Sequence, residues 1–133
     1  MKQIKFILEL PENPKGTAQM IRHTSHGTYL PKNLKQTVEM YKAALDPYGG
    51  EFLTGPLALS VKWVYQVKDR KKWDTRKTSV PDLDNIAKPF IDCMTRKGFW
   101  MDDSQIVKLN MEKWYGSSPL VIVELTELEN ERR

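Results

Sequence analysis

The segment from Leu57 to Gln66 constrains the fold more than any other part of the chain. Leu57, Leu59, Val61, Trp63 and Tyr65 alternate with Ala58, Ser60, Lys62, Val64 and Gln66. Successive side chains of a strand point to opposite faces, so this period predicts a strand over 57–66 with one apolar face. Other segments supply partners for it. Ile4, Phe6, Leu8 and Leu10 alternate with Lys5, Ile7 and Glu9, predicting a first strand closed by Pro11 and Pro14. Val107, Leu109 and Met111 oppose Lys108, Asn110 and Glu112 in a third. Leu120 to Leu125 forms a fourth, joined to the third by a turn around Gly116 to Pro119.

Two segments carry the helical period instead. Leu34, Val38, Tyr41 and Leu45 place one apolar stripe on a helix over 32–45, ended by Pro47, Gly49 and Gly50. Ile86, Phe90 and Met94, with Ala87 and Ile91 beside them, predict a second helix over 85–96. Asp84 suits its N-cap and Gly98 its C-terminal stop. Pro89 then falls just inside the helix, where its missing N–H forfeits at most one bond. Residues 11–32 contain Gly16, Gly27 and Pro31 and show no period, so they read as a long loop, and loops of that length usually have a job. The order β-α-β-α-β-β predicts a small α+β domain, with two helices packed on a mixed sheet. At 133 residues the chain falls below the roughly 250 at which cores divide, so residues 1–133 read as a single domain.

Composition narrows the function classes. With 40% hydrophobic and 29% charged residues, the chain reads as globular and not disordered. Cys93 is the only cysteine, which excludes an internal disulfide and a cysteine-based zinc site, and fits a reducing cytoplasm. No apolar run reaches the length of a signal peptide or of a membrane span, which predicts a soluble cytoplasmic protein with no membrane partner. The net charge of +4 says little alone. Its distribution says more: Lys68, Arg70, Lys71, Lys72, Arg76 and Lys77 crowd one loop-like stretch that holds only two acids.

Four aspartates flank the second helix: Asp82 and Asp84 before it, Asp102 and Asp103 after it. A helix of that size is about 17 Å long, so its two ends do not meet by default. If the chain brings Asp103 back to Asp82 and Asp84, their repulsion needs a cation. Mg²⁺, which takes a few carboxylates plus substrate phosphate, is the natural one. Lys88, one helical turn after Asp84, shares its face and can support a phosphate beside such a cluster. The same residues also have an ordinary reading. Asp84 serves as a helix cap, Asp84 and Lys88 as a surface i,i+4 pair, and Asp102 and Asp103 as turn residues. Asp92, one turn beyond Lys88, is either an orienting partner of that lysine or solvated surface.

The run Val80-Pro81-Asp82-Leu83-Asp84-Asn85-Ile86-Ala87-Lys88, then Phe90-Ile91-Asp92, then Gly98-Phe99-Trp100-Met101-Asp102-Asp103-Ser104-Gln105-Ile106 resembles the signature of the RusA-type Holliday junction resolvases of bacteria, prophages and phages. That family's pattern is Asp-x-Asp-Asn with a lysine four residues after the second aspartate, closing on Gly-x-x-x-Asp-Asp and a hydrophobic strand. The matching core covers residues 80–113. The resemblance implies that Asp82, Asp84 and Asp103 bind metal and serve catalysis, with Lys88 as the essential lysine. It further implies a homodimer that binds four-way DNA junctions and resolves them by paired symmetric nicks, using Mg²⁺ or Mn²⁺ and no organic cofactor.

On that reading Lys68, Arg70, Lys71, Lys72, Arg76 and Lys77 contact phosphates, positioning the substrate without reading bases. Lys113, on the inward parity of Val107, Leu109 and Met111, is a weaker candidate for the same task. Trp73 either stacks on an exposed base or covers core surface. Arg22, His23 and His26 read as loop surface. Trp63, Trp100, Phe90 and Phe99 read as core or dimer contacts, and Cys93 as a small buried hydrophobe. Two alternatives share these features: a metal-dependent nuclease for other branched DNA, and a non-catalytic, structure-specific DNA-binding protein. A pure protein-interaction module leaves the basic run beside the acid cluster unexplained.

Overall fold

A computed structural model describes residues 2–16, 22–24, 27–29, 32–130 and 132. The alternating segments form β1 (Gln3–Glu9), β4 (Leu57–Gln66), β5 (Ile106–Gly116) and β6 (Leu120–Glu127). These build one four-stranded sheet in the order β1-β6-β4-β5. β6 is antiparallel to both β1 and β4, whereas β5 runs parallel to β4, so the sheet is mixed as expected. The helices are α1 (Lys32–Leu45) and α2 (Leu83–Arg96).

Within the long loop the structure adds a short antiparallel ribbon, β2 (Arg22–Thr24) and β3 (Gly27–Tyr29). Three-residue strands are too short to leave a readable alternation, which is why the sequence alone gives a loop there. His26 and the side chains of Arg22 and His23 lie outside the described residues.

The inward face of β4 makes the core. Leu57, Leu59, Val61, Trp63 and Tyr65 are all buried, and Phe6, Leu8, Val121, Val123 and Leu125 join them from β1 and β6. Tyr41 and Leu45 of α1, with Ile86, Phe90 and Met94 of α2, complete it. Trp63, Trp100, Phe90 and Phe99 are fully buried core residues, and Cys93 is buried with them. Burial of side chains this large contributes about 1.5–3 kcal/mol each before the cost of ordering them.

Two features of the fold bear on the site, the second of them a correction to the sequence reading. The turn around Gly116 to Pro119 joins β5 to β6 as expected, and β4 lies between these two strands in the sheet. Gly116 allows that crossing: a Cβ there would stand 2.5 Å from Val64 Cγ1. Secondly, α2 starts at Leu83 with Asp82 as its N-cap, two residues earlier than the apolar period indicates. Pro89 therefore sits well inside the helix, where it withholds the N–H that Asn85 O would accept. The helix ends as expected. Gly98 takes φ +82° while Gly98 N–H and Phe99 N–H donate to Thr95 O and Met94 O, a Schellman stop.

Candidate functional site

β5 is parallel to β4, so the chain must travel back along the sheet between them. It does so through the basic stretch and α2. The basic stretch is not free loop. Asp69 caps a 3₁₀ turn over Arg70–Lys72, accepting the Lys71 N–H at 3.1 Å. The following residues then run along the outer edge of β5. Asp74 N–H donates to Tyr115 O, Tyr115 N–H to Thr75 O, and Lys77 N–H to Lys113 O, at 2.9, 2.9 and 3.0 Å. This strap delivers residues 78–82 to the start of α2 beside β5.

Lys113 holds the delivered segment. Across the sheet it ends a row formed by Leu8, Val121 and Trp63, three buried residues, so its parity is inward as the sequence indicates. Its stem follows that apolar row to the sheet edge, and its ammonium turns to the backbone. Nζ donates to Ser79 O and to Pro81 O, both at 2.7 Å. Burial and the nearby Lys77 push its pKa down, while the charge of Asp82 opposes them. Lys77 Nζ donates to Ser79 Oγ at 2.7 Å and lies 5.1 Å from the ring centres of both Tyr65 and Tyr115. Ser79 Oγ in turn meets the Tyr115 hydroxyl at 3.0 Å. Gly16 closes against the same segment, since a Cβ there would stand 2.8 Å from Pro81 Cβ and 3.1 Å from Asn85 Cβ. Ser79, Tyr115 and Gly16 carried no signal in the sequence, because each matters only through a contact with a distant segment.

Among the described residues the carboxylates at this helix start are uncommitted. Asp82 occupies the N-cap position yet makes no side-chain cap bond, so the ordinary function of an aspartate there is unused. Asp84 lies in the first turn, where the helix dipole favours a negative charge. Asp82, Asp84, Lys88 and Asp103 are all exposed. Among the described residues none of these four joins an ion pair, so the i,i+4 pair of Asp84 with Lys88 is not formed. Asp92 is half-buried on the same helix.

Asp103 begins a second 3₁₀ turn, Asp103–Gln105, which lies beside α2 with Cα atoms within 8 Å. Gln105 fixes that turn. Its Oε1 accepts the N–H groups of Met101 and Asp102 at 2.9 and 3.0 Å, and its Nε2 donates to Leu53 O and Gly55 O, both at 3.0 Å. The Asp102 carboxylate accepts the Ser104 hydroxyl, which lowers its pKa and occupies it locally. Of the closing pair, Asp103 is thus the freer.

The donor chemistry fits a hard divalent ion: exposed carboxylates without cation or cap partners among the described residues, on a helix that also carries Lys88. Among the described residues, however, no three acidic, histidine or cysteine side chains stand close enough to hold one ion together. The structure therefore does not gather Asp82, Asp84 and Asp103 into a single group. Magnesium keeps several waters and binds through one or two carboxylates, so the Asp82–Asp84 pair suffices in donor number.

Of the basic residues, Lys68, Arg70, Lys71, Lys72 and Arg76 are exposed, whereas Lys77 and Trp73 are half-buried. Trp73 spends its indole N–H on Val67 O at 2.8 Å, with Arg70 5.6 Å from its ring centre. Arg76 lies 4.4 Å from the Trp114 ring centre and 3.6 Å from Glu112.

Fold and surface define a small α+β domain that sets exposed aspartates at a helix start beside a basic strap. Residues 11–126 match the family model described as endodeoxyribonuclease RusA, and the chain belongs to that family. It is 44% identical over 73 residues to a crossover junction endodeoxyribonuclease of Lactococcus phage r1t, covering 55% of this chain and 56% of that one. It is 31% identical over 88 residues to the uncharacterized protein YqaN of Bacillus subtilis (strain 168), covering 57% and 61%. It is 47% identical over 32 residues to the crossover junction endodeoxyribonuclease of Escherichia coli (strain K12), covering 24% and 27%. The chain thus aligns with less than two thirds of the length of each of these relatives. No helix among the described residues is long and apolar enough to cross a membrane.

Proposed function

We propose that this protein is a Mg²⁺-dependent endodeoxyribonuclease that resolves four-way DNA junctions by paired symmetric nicks, with Mn²⁺ able to substitute. The observation that carries the reading is the pair of carboxylates, Asp82 and Asp84, uncommitted among the described residues at a helix start held against a basic strap. Family membership and the activity for which two relatives are named support it.

In this reading Asp82 and Asp84 would hold the ion, and Asp103 of the neighbouring turn, which the structure leaves outside their group, would join them when the ion binds. When bound, a divalent cation supplies Lewis-acid charge to the phosphate and lowers the pKa of an attacking water. Lys88, exposed and unpaired among the described residues, steadies the scissile phosphate and the charge that develops on its oxygens. Lys68, Arg70, Lys71, Lys72 and Arg76 bind flanking phosphates, with Lys77 and Trp73 shaping the strap beneath them. A homodimer would match the pseudo-two-fold symmetry of a junction and place two such sites for two nicks. Edge strand β5 supports that assembly, because Val107 and Leu109 on it are 61% and 48% exposed. The phage origin of one relative and the bacterial origin of the other two support a prophage or phage source and a bacterial cytoplasmic setting.

One observation favours a second reading. The absence, among the described residues, of a three-ligand acidic group suits a structure-specific DNA-binding protein without catalysis. Cleavage of a synthetic four-way junction separates the two, with linear duplex as control, in Mg²⁺ and in EDTA, for the protein and for Asp84→Asn. Paired symmetric nicks that require Mg²⁺ and vanish in the variant uphold the resolvase. Tight binding without cleavage in Mg²⁺ or Mn²⁺ leaves the binding protein. Preference for flaps or forks keeps the chemistry and changes the substrate.

A further inference from the structure

Lys113 reads from sequence as a phosphate contact, yet its ammonium is turned inward. Two of its three N–H groups are spent on Ser79 O and Pro81 O, three residues and one residue before Asp82. A lysine bound in this way has one donor left and a constrained direction. The segment it holds carries exposed residues throughout 78–80, and no strand or helix lies between Lys77 and Leu83. Left to itself, such a stretch would let the Asp82 carboxylate wander. Gly16 presses on Pro81 and Asn85 from the segment that follows β1, and Lys77 pins Ser79 through its hydroxyl.

We infer that Lys113 is a positioning residue: by binding the carbonyls of Ser79 and Pro81 it sets the place of the Asp82 carboxylate, and it does not contact the DNA backbone. The grip on residues 79–82 stands on the geometry alone, and its consequence for metal rests on the proposed role of Asp82. The closing pressure from Gly16 belongs to the same device, because any side chain there displaces Pro81.

The test uses the whole chain carrying Lys113→Met, which keeps the stem and removes the donors, with Lys113→Arg as the conservative variant. Gly16→Ala disturbs the segment independently, should Lys113→Met fail to fold by circular dichroism. Three quantities are read: amide hydrogen exchange across residues 79–86, Mn²⁺ affinity without DNA by electron paramagnetic resonance, and four-way junction affinity in EDTA. Lys113→Met is expected to speed exchange in 79–86 at least tenfold and to weaken Mn²⁺ binding about tenfold. Junction affinity in EDTA should stay within twofold, and Lys113→Arg should restore part of both losses. Unchanged exchange and unchanged Mn²⁺ affinity would overturn the inference. So would a loss of junction affinity in EDTA with exchange unaltered, which would return Lys113 to the phosphate contacts. Accelerated exchange in a protein whose wild type binds no Mn²⁺ would uphold the grip and overturn the role of Asp82 in metal binding.

Discussion

Trp63 donates its indole N–H to the Tyr41 hydroxyl across 3.2 Å, and neither side chain has exposed surface. Both rings also meet Phe90 edge-on, at 4.9 Å from Tyr41 and 5.8 Å from Trp63. One hydrogen bond and one shared aromatic neighbour thus tie β4, α1 and α2 together, beneath the helix that carries Asp84 and Lys88. Tyr41→Phe keeps the ring but leaves the Trp63 N–H unpaired in an apolar core. The expected cost is about 1–3 kcal/mol, read as a lower urea midpoint at constant slope. Trp63→Phe added to Tyr41→Phe should cost less than the sum of the two single changes, because the pair is then removed together. Strict additivity would show that the bond contributes nothing.

Burial pushes the hydroxyls of Tyr41 and Tyr65 up from the ordinary tyrosine range. An unfolded tyrosine gives up its proton near pH 10, while these two hold theirs in the folded protein. Their contribution to stability is therefore complete below that pH and erodes as pH rises through it toward the folded values. Urea midpoints measured from pH 8 to 11 should fall above pH 10. Tyr65→Phe, which also loses the 2.8 Å bond to Pro14 O, should begin lower and fall less steeply. Equal slopes for the two proteins would contradict the assignment.

Gly116 is dictated by space. A methyl group on it meets Val64 Cγ1 at 2.5 Å, where the chain leaves β5 to pass beyond β4. Gly116→Ala should destabilise by about 1–3 kcal/mol, the usual cost of overpacking. Adding Val64→Ala, which clears the methyl's path, should recover part of that loss in thermal melts. A Gly116→Ala protein as stable as its parent would place the crossing elsewhere.

Lys68 and Lys71 are exposed and, among the described residues, make none of the ring or carbonyl contacts that engage Lys77 and Lys113. If both bind phosphates, Lys68→Ala with Lys71→Ala should weaken junction binding at low salt. It should also reduce the slope of log affinity against log salt by roughly 1.8, about 0.9 per contact. Fluorescence anisotropy between 50 and 200 mM salt, as about a fourfold span, measures both quantities. A weaker affinity with an unchanged slope would mean that the lysines act through structure and not through phosphate.

What the sequence determined by itself is local. The two-residue alternation from Leu57 to Tyr65 and the stripe of Leu34, Tyr41 and Leu45 follow from strand and helix geometry, and both formed over the expected residues. Gly98 stopped α2 because only a residue at ease with positive φ closes that turn cheaply. The spacing of Asp84 and Lys88 likewise put both on one helix, one turn apart, and the structure has them so. Tertiary structure decided the rest. That β4 parts β5 from β6 depends on pairing between distant segments, on which the local pattern is silent. The segment before Leu83, where α2 begins, is bound by Lys113 and backed by Gly16, contacts that span 32 residues in one case and come from far upstream in the other. The same long-range contacts turn Lys113 inward, strap the basic stretch along β5, and leave Asp82, Asp84 and Asp103 exposed without gathering them into one group. Spacing along the chain specifies which face of an element a side chain shares, whereas its partners are settled only when the elements pack.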